Sequence, residues 1–177
     1  MLTTILALIA QQAAQVPPTE PTPPHPAPAP ACTSELHGQF DFWVGEWDVE
    51  PNGRDTLVAH SRIEKKHGGC AIVETWMPLR GLGGTSLNHV DPQTGIWHQK
   101  WVGSAPGAVE FTGGLTDGTM VLTGNWPSPN APHQLIRMSY TPNEDGSVRQ
   151  HGEASTDHGL TWQTSFDFIY RPKETRE

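Results

Sequence analysis

The spacing of apolar residues changes at about residue 44, from that of a helix to that of a strand. Leu36, Phe40 and Trp43 recur at i, i+4 and i+7, which is the spacing of one helical face. From Gly45 onward, Trp47 and Val49 alternate with acidic residues, which is the period of a β-strand. The pattern predicts a short helical plug that leads directly into a first strand over 44–51.

Downstream of the first strand, short runs rich in β-branched and aromatic residues are separated by Gly, Asp, Asn and Pro. Asp-Gly turns between alternating segments are strong hairpin signals. We predict further strands over 56–65, 70–76, 85–90, 96–102, 107–113, 118–126, 133–141, 147–154 and 161–170. No helical stretch is long enough to cross over a parallel sheet, and nearly every connection is tight. The chain is therefore predicted to be an all-β protein with about ten antiparallel strands in an up-and-down barrel, since a two-layer sandwich would need longer connections.

Strand parity decides which residues can meet inside such a barrel. Trp97, Gln99 and Trp101 share one face of their strand, while His98 and Lys100 share the other. If the tryptophan face points inward, Gln99 is buried too, and a buried amide needs a hydrogen-bond partner or a ligand. On the last strand, alternation places one aromatic series on a common face: Trp162, Thr164, Phe166, Phe168 and Tyr170.

The net charge argues against two classes of partner. The chain has 11 Lys and Arg residues against 19 Asp and Glu, giving a formal charge of −8. Nucleic acids and anionic bilayer surfaces are bound by clustered basic residues, which this chain lacks. We therefore expect neither nucleic acid nor an anionic membrane surface as a partner.

The first 31 residues have a different composition from the rest. Residues 1–14 hold a short apolar run followed by small residues, which is typical of a secretory signal peptide, although the usual basic start is missing. Residues 15–31 form a Pro/Ala-rich tract that cannot build a core and is interpreted as a disordered tether. These features predict a barrel domain over 32–172, a short tail over 173–177, a periplasmic or secreted location, and no membrane insertion after signal cleavage.

The chain has two cysteines, Cys32 and Cys70. In an exported protein an even pair most simply forms a disulfide, which here would fasten the start of the barrel to its third strand. Two alternatives stay open: two unpaired thiols packed as small hydrophobes, or a lipid on Cys32.

A glycine–tryptophan pair, Gly45 and Trp47, follows the helical plug at the head of the ten strands, and in this setting the chain resembles the calycin superfamily of lipocalins, fatty-acid-binding proteins and nitrobindins. The segments FDFWVGEWDV at 40–49, GGC at 68–70, GIWHQKWV at 95–102 and STDHGLTW at 155–162 resemble a family of secreted bacterial proteins of unknown function. The resemblance covers nearly all of 32–170. It implies a lipocalin-like barrel outside the cytoplasm but supplies no catalytic residues, and no histidine here matches the haem-ligand context of nitrobindins.

Candidate ligand contacts follow from the aromatic and polar residues of the strands. Exported barrels line a cavity with aromatics and a few polar groups, so we predict a site for a small hydrophobic or aromatic molecule. The predicted ligand-binding residues are Trp97, Gln99, Trp101, Tyr140, Arg149 and His151. By resemblance to fatty-acid-binding proteins, an inward Arg149 or Arg137 would clamp a carboxylate; alternatively both arginines point outward and pair with Glu153 or Asp167. Trp43 and Trp47 are expected to fill the base of the barrel.

No motif for covalent or metal chemistry is present in the sequence. There is no Gly-x-Ser-x-Gly, His-Glu-x-x-His or Cys-x-x-Cys, and the only histidines expected to meet are His89 and His98, across their hairpin. The leading hypothesis is a non-enzymatic binding barrel without a cofactor. The alternatives are a cavity enzyme using a His/Arg pair for acid–base chemistry, a haem- or metal-binding barrel, and a structural role in the cell envelope.

Overall fold

The computed structural model describes residues 32–173. The predicted signal peptide over 1–14, the tether over 15–31 and the tail from 174 onward lie outside the described residues. Within residues 32–173, no helix has the length and apolar character needed to cross a membrane.

Ten strands follow a short helical segment. Helix α1 covers Glu35–Gly38, and a 3₁₀ turn covers Asp41–Trp43. The strands are β1 (Gly45–Pro51), β2 (Ala59–Lys66), β3 (Ala71–Pro78), β4 (Gly84–Val90), β5 (Trp97–Val102), β6 (Val109–Thr116), β7 (Thr119–Asn125), β8 (Leu135–Pro142), β9 (Val148–Ser155) and β10 (Gln163–Pro172). Each predicted strand lies within three residues of an observed one at both ends.

The strands form one closed antiparallel barrel. Each pairs with its neighbours in the chain, and β1 pairs with β10 to close the cylinder, placing Val49 opposite Tyr170. The prediction of an all-β, ten-stranded up-and-down barrel is confirmed, and the sandwich alternative is wrong. The architecture is compatible with a calycin-like fold.

The plug is less helical than its residue spacing predicts. Helix α1 is a single turn, and Phe40 lies between it and the 3₁₀ turn with a non-helical backbone. The predicted inward face is nevertheless kept, because Phe40 and Trp43 are fully buried and Leu36 packs against the core. Phe40 stacks on Trp43 with ring centroids 4.9 Å apart and meets Trp97 edge-on at 5.7 Å. These rings fill the base of the barrel.

A disulfide and an ion pair fasten the plug to the barrel wall. Cys32 and Cys70 form a disulfide, as predicted, so neither is a free thiol. Lys65 Nζ, on β2, lies 2.6 Å from Asp41 Oδ1 in the 3₁₀ turn. Gly69 adopts φ +94°, and a Cβ there would lie 2.5 Å from the Cys32 carbonyl oxygen, so only glycine fits beside the disulfide.

The opposite end of the barrel carries the longer loops. Tight connections follow β2, β4, β6 and β8 at the plugged end, as the alternation of an up-and-down barrel requires. The connections at the other end span 52–58, 79–83, 103–108, 126–134 and 156–162. We call this end the open rim.

One part of the predicted parity is wrong. Strand β10 contains a bulge between Thr164 and Phe166, where the pairing with β9 shifts by one residue. Thr164 consequently turns outward and its hydroxyl lies 3.0 Å from His151 Nε2, whereas Phe166 lies opposite Gly152 on the inner face. An inserted residue reverses the in/out phase of a strand, and alternation alone does not reveal it.

Candidate functional site

A cavity of about 200 Å³ lies inside the barrel, between the buried plug and the open rim. Its walls combine aromatic rings with a few polar side chains. The lining residues are Glu74, Trp76, Gln99, Trp101, Trp126, Met138, Tyr140, Gln150, Phe166, Phe168 and Tyr170. They come from β3, β5, β8, β9, β10 and the loop after β7.

Aromatic rings form the rim side of the cavity. Phe166 stacks on Phe168 with centroids 5.6 Å apart, and Trp76 lies 5.9 Å from Phe168. Gly152, opposite Phe166, makes room for this arrangement, since a Cβ there would lie 2.2 Å from the Phe166 ring. Trp101 and Trp126 complete the aromatic rim. We use this name for Trp76, Trp101, Trp126, Phe166 and Phe168 together.

Below the aromatic rim, six hydrogen bonds and one longer contact, between the Tyr170 hydroxyl and Glu74, join seven buried side chains into a ring around the barrel interior. The members of this polar ring are Glu74, Ser86, Asn88, Gln99, Tyr140, Gln150 and Tyr170. They come from β3, β4, β5, β8, β9 and β10. The ring separates the cavity from the plug.

A backbone carbonyl fixes the orientation of the amides in the polar ring. Asn88 Nδ2 donates to the carbonyl oxygen of Ile72 at 3.1 Å, so Asn88 Oδ1 must accept. It accepts from Gln99 Nε2 at 2.7 Å, and the same nitrogen lies 3.3 Å from the Tyr140 hydroxyl oxygen. Gln99 Oε1 is left without a hydrogen-bond partner among residues 32–173, although it belongs to a cavity-lining side chain.

The two buried tyrosines complete the ring. The Tyr140 oxygen accepts from Gln150 Nε2 at 3.0 Å, and Tyr170 donates to Gln150 Oε1 at 2.7 Å. The proton of the Tyr140 hydroxyl has only the Met138 sulfur, 3.6 Å away, as its acceptor within the described chain. Burial raises the pKa of both phenols above the ordinary value, so both stay protonated at physiological pH.

Among residues 32–173, Glu74 is the only carboxylate on the cavity wall. It is 5% exposed and accepts hydrogen bonds from Ser61 at 3.1 Å on Oε1 and from Ser86 at 3.0 Å on Oε2. The Tyr170 hydroxyl lies farther away, 3.5 Å from Oε1. Burial raises the pKa of Glu74 to about 7, and the hydrogen bonds from Ser86 and Ser61 offset only part of this effect.

Local sequence explains why Glu74 points inward. It lies between Ile72 and Trp76 at the same parity of β3, and both neighbours belong to the inner face. Ser86 and Asn88 share the parity of the buried Val90 on β4, so the polar residues of two adjacent strands meet inside the barrel. Sequence reasoning missed Glu74, Ser86, Asn88 and Gln150 as site residues. The signal that identifies them is a polar residue at an inward position of an otherwise apolar strand face.

The structure brings together three of the predicted ligand-binding residues. Gln99, Trp101 and Tyr140 line the cavity. Trp97 shares their inward face but lies lower, where its indole Nε1 donates to Gln39 Oε1 at 3.0 Å beside the plug. Trp97 therefore packs the base of the barrel, as Trp43 and Trp47 do.

Arg149 and His151 lie on the outer surface of β9, away from the cavity. Arg149 Nη2 is 2.7 Å from Asp167 Oδ2, and His151 contacts Thr164 across the strands. Arg137 is also outside, with its Nη2 2.9 Å from Glu153 Oε2. The arginines therefore form the cross-strand ion pairs of the alternative interpretation and supply no carboxylate clamp inside the barrel.

The predicted meeting of His89 and His98 is confirmed. The two residues are directly opposite on β4 and β5, with rings stacked 5.1 Å apart on the outer wall. No described histidine lines the cavity, so the hypothesis of acid–base catalysis by a His/Arg pair gains no support. Across residues 32–173, His, Cys, Asp and Glu form no group of three or more placed to hold a metal ion.

Comparison with known proteins gives no match, either among protein-family models or among curated proteins.

Proposed function

We propose that the protein is an extracytoplasmic binding barrel of the calycin type, which holds one small apolar or aromatic molecule in its interior. The observation that carries the proposal is the cavity of about 200 Å³, with an aromatic rim above a polar ring. Cavities of about 150 Å³ hold benzene, so this volume suits a single-ring molecule with a short substituent. Apolar walls with a few placed polar groups are typical of small-molecule sites.

The disulfide supports the proposed location. A disulfide between Cys32 and Cys70 persists in oxidising compartments and is rare in the cytosol. We expect fractionation of cells producing the full chain to recover it outside the cytoplasm in oxidised form. Recovery in the cytosol with two alkylatable thiols would contradict the location.

Calorimetric titration with single-ring aromatic compounds tests the binding proposal. Replacing Met138, on the cavity wall, by Trp fills part of the space and should weaken binding at least tenfold. Met77→Trp is the matched control, because Met77 is 41% exposed on the outer wall. Circular dichroism confirms that both variants fold. Equal affinity in Met138→Trp and wild type, or no binding of any probe, would contradict the proposal.

A further inference from the structure

A buried carboxylate without a positive partner is the most unusual feature of the cavity. The lining contains no Lys, Arg or His, and within the described part of the chain no ion pair involves Glu74. Burying an ionised carboxylate costs free energy unless a positive charge compensates it. The barrel wall itself supplies none.

The hydrogen bonds around Glu74 leave part of its accepting capacity unused. A carboxylate has about four lone-pair positions. Ser61 and Tyr170 approach Oε1, while Oε2 receives only Ser86 from residues 32–173. One position on Oε2 is therefore open. The unpaired Gln99 Oε1 adds a second acceptor to the same wall, so the base of the cavity is richer in acceptors than in donors.

The aromatic rim adds a second feature that favours positive charge. A cation near the face of a tryptophan, tyrosine or phenylalanine ring is attracted by the ring quadrupole, most strongly by tryptophan. Three of the five rings in the aromatic rim belong to tryptophans, and the rim adjoins Glu74 across the cavity lining. Aromatic rings around a carboxylate form a suitable environment for an ammonium group.

We infer that the molecule held in the cavity is a small organic cation, a protonated alkyl or arylalkyl amine or a quaternary ammonium compound, whose ammonium group pairs with Glu74 while the aromatic rim encloses its apolar part. This inference rests on the proposed binding function and specifies its ligand class. It disfavours carboxylate ligands, because Arg137 and Arg149 lie on the outer surface and Glu74 would repel an anion.

The inference predicts a pH dependence that only Glu74 can cause. The groups facing its carboxyl are Ser61 from β2, Ser86 from β4 and Tyr170 from β10, with Tyr140 on the cavity wall opposite. The serines do not titrate, and burial raises the pKa of both phenols. Glu74, with a pKa near 7, changes from neutral to charged between pH 5.5 and 8.5. Affinity for a cation should rise over this range.

A matched pair of probes separates charge from shape. Phenyltrimethylammonium carries a permanent charge and does not titrate, and tert-butylbenzene has the same shape without the charge. Calorimetric titration of the full chain should show at least a tenfold higher affinity for the cation at pH 8.5 than at pH 5.5. At pH 5.5, more than one unit below the pKa of Glu74, less than a tenth of the protein has the carboxylate charged. The neutral probe should change less than twofold. Titrations near pH 7 in buffers of different ionisation enthalpy should show proton release from the protein with the cation alone.

Two variants test whether the pH-dependent affinity for the cation comes from Glu74 in the cavity. Glu74→Gln should reduce cation affinity at least tenfold at pH 8.5, leave it near the wild-type value at pH 5.5, and retain binding of tert-butylbenzene. Glu110→Gln removes the same charge from the outer surface, where Glu110 pairs with Lys100, and should behave as wild type. Should Glu74→Gln not fold, the wild-type pH profile and the proton release decide the question.

The possible failures differ in what they overturn. Equal affinity for the two probes at pH 8.5, or an equal loss of cation binding in Glu74→Gln and Glu110→Gln, overturns the cation inference and leaves the binding function standing. Tighter binding of benzoate than of the cation also overturns it. Absence of binding by every probe at both pH values overturns the binding function itself.

Discussion

At the scale of single residues, the ionisation of Glu74 lowers the free energy of unfolding as pH rises, which is the reverse of the usual effect of a carboxyl group in a folded protein. The pKa of Glu74 in the folded protein is about 7, above the ordinary value of 4.5 that applies to the unfolded chain. Between these pH values the folded state binds more protons than the unfolded state, so stability falls as pH rises. The loss begins above about pH 4.5, is complete above about pH 7, and amounts to about 3 kcal/mol, since one pKa unit corresponds to about 1.4 kcal/mol.

Glu74→Gln removes this titration. The free energy of unfolding of the variant should increase relative to wild type by about 3 kcal/mol between pH 4 and pH 8, measured by urea denaturation at each pH. Glu110→Gln, on the surface, is the control and should show a pH profile parallel to wild type. A parallel profile for Glu74→Gln as well would mean that Glu74 titrates normally in the folded protein.

Two tryptophans at the base of the barrel differ in one hydrogen bond. Trp47 Nε1 donates to the Trp43 carbonyl oxygen at 3.0 Å, whereas Trp43 Nε1 is buried without a partner in the described chain. Replacing either by Phe removes similar volume from a site less than 5% exposed. Only Trp47→Phe also breaks a hydrogen bond, which is worth about 1 kcal/mol. Urea unfolding should therefore show Trp47→Phe less stable than Trp43→Phe by about that amount, and the opposite order would contradict the assignment.

At the scale of elements, the disulfide holds the plug in place. It closes a loop with a sequence separation of 38 residues. Chain-entropy arguments assign a loop of this length about 4 kcal/mol of stabilisation, and native disulfides typically contribute about 2–5 kcal/mol. Replacing both cysteines by serine should lower the free energy of unfolding within that range. Serine at both positions avoids a lone reactive thiol, and the same loss should follow reduction of the wild type. A variant as stable as the oxidised protein would show that Lys65–Asp41 and ring packing alone retain the plug.

The elements that sequence predicted well are those in which alternation continues without interruption. The ten strands, the common face of Trp97, Gln99 and Trp101, and the His89–His98 pairing all follow from period-2 parity and turn position, whereas parity alone did not say that this face points inward. Parity failed at Thr164, where the bulge in β10 adds a residue that no local signal marks. The polar ring was not predicted because it depends on which side chains of six different strands reach one level of the barrel. The level that a side chain reaches is set by the register between neighbouring strands, and alternation within one strand does not reveal the register.

At the scale of the whole molecule, barrel closure leaves none of the ten described strands with a free edge. Strand β1 pairs with both β2 and β10, so the first and last strands are held on both sides. In an open sheet or a sandwich, edge strands expose unpaired N–H groups that exchange readily with water. The two architectures therefore predict different exchange behaviour for the same sequence.

Amide hydrogen exchange followed residue by residue tests closure directly. The amides of Glu50 and Ile169, which lie in phase with the hydrogen-bonded Glu46–Lys173 and Asn52–Asp167 positions of the closing pair, should exchange as slowly as those of Gln99 and Phe111 on the interior β5–β6 pair. The loops of the open rim should exchange fastest, because they have few backbone hydrogen bonds to protect them. Rapid exchange confined to alternate amides of β1 and β10 would reveal an open seam. Such a seam would let water reach Tyr170 and Glu74 from the side, and the closed wall around the cavity from which the ligand class was inferred would then not exist.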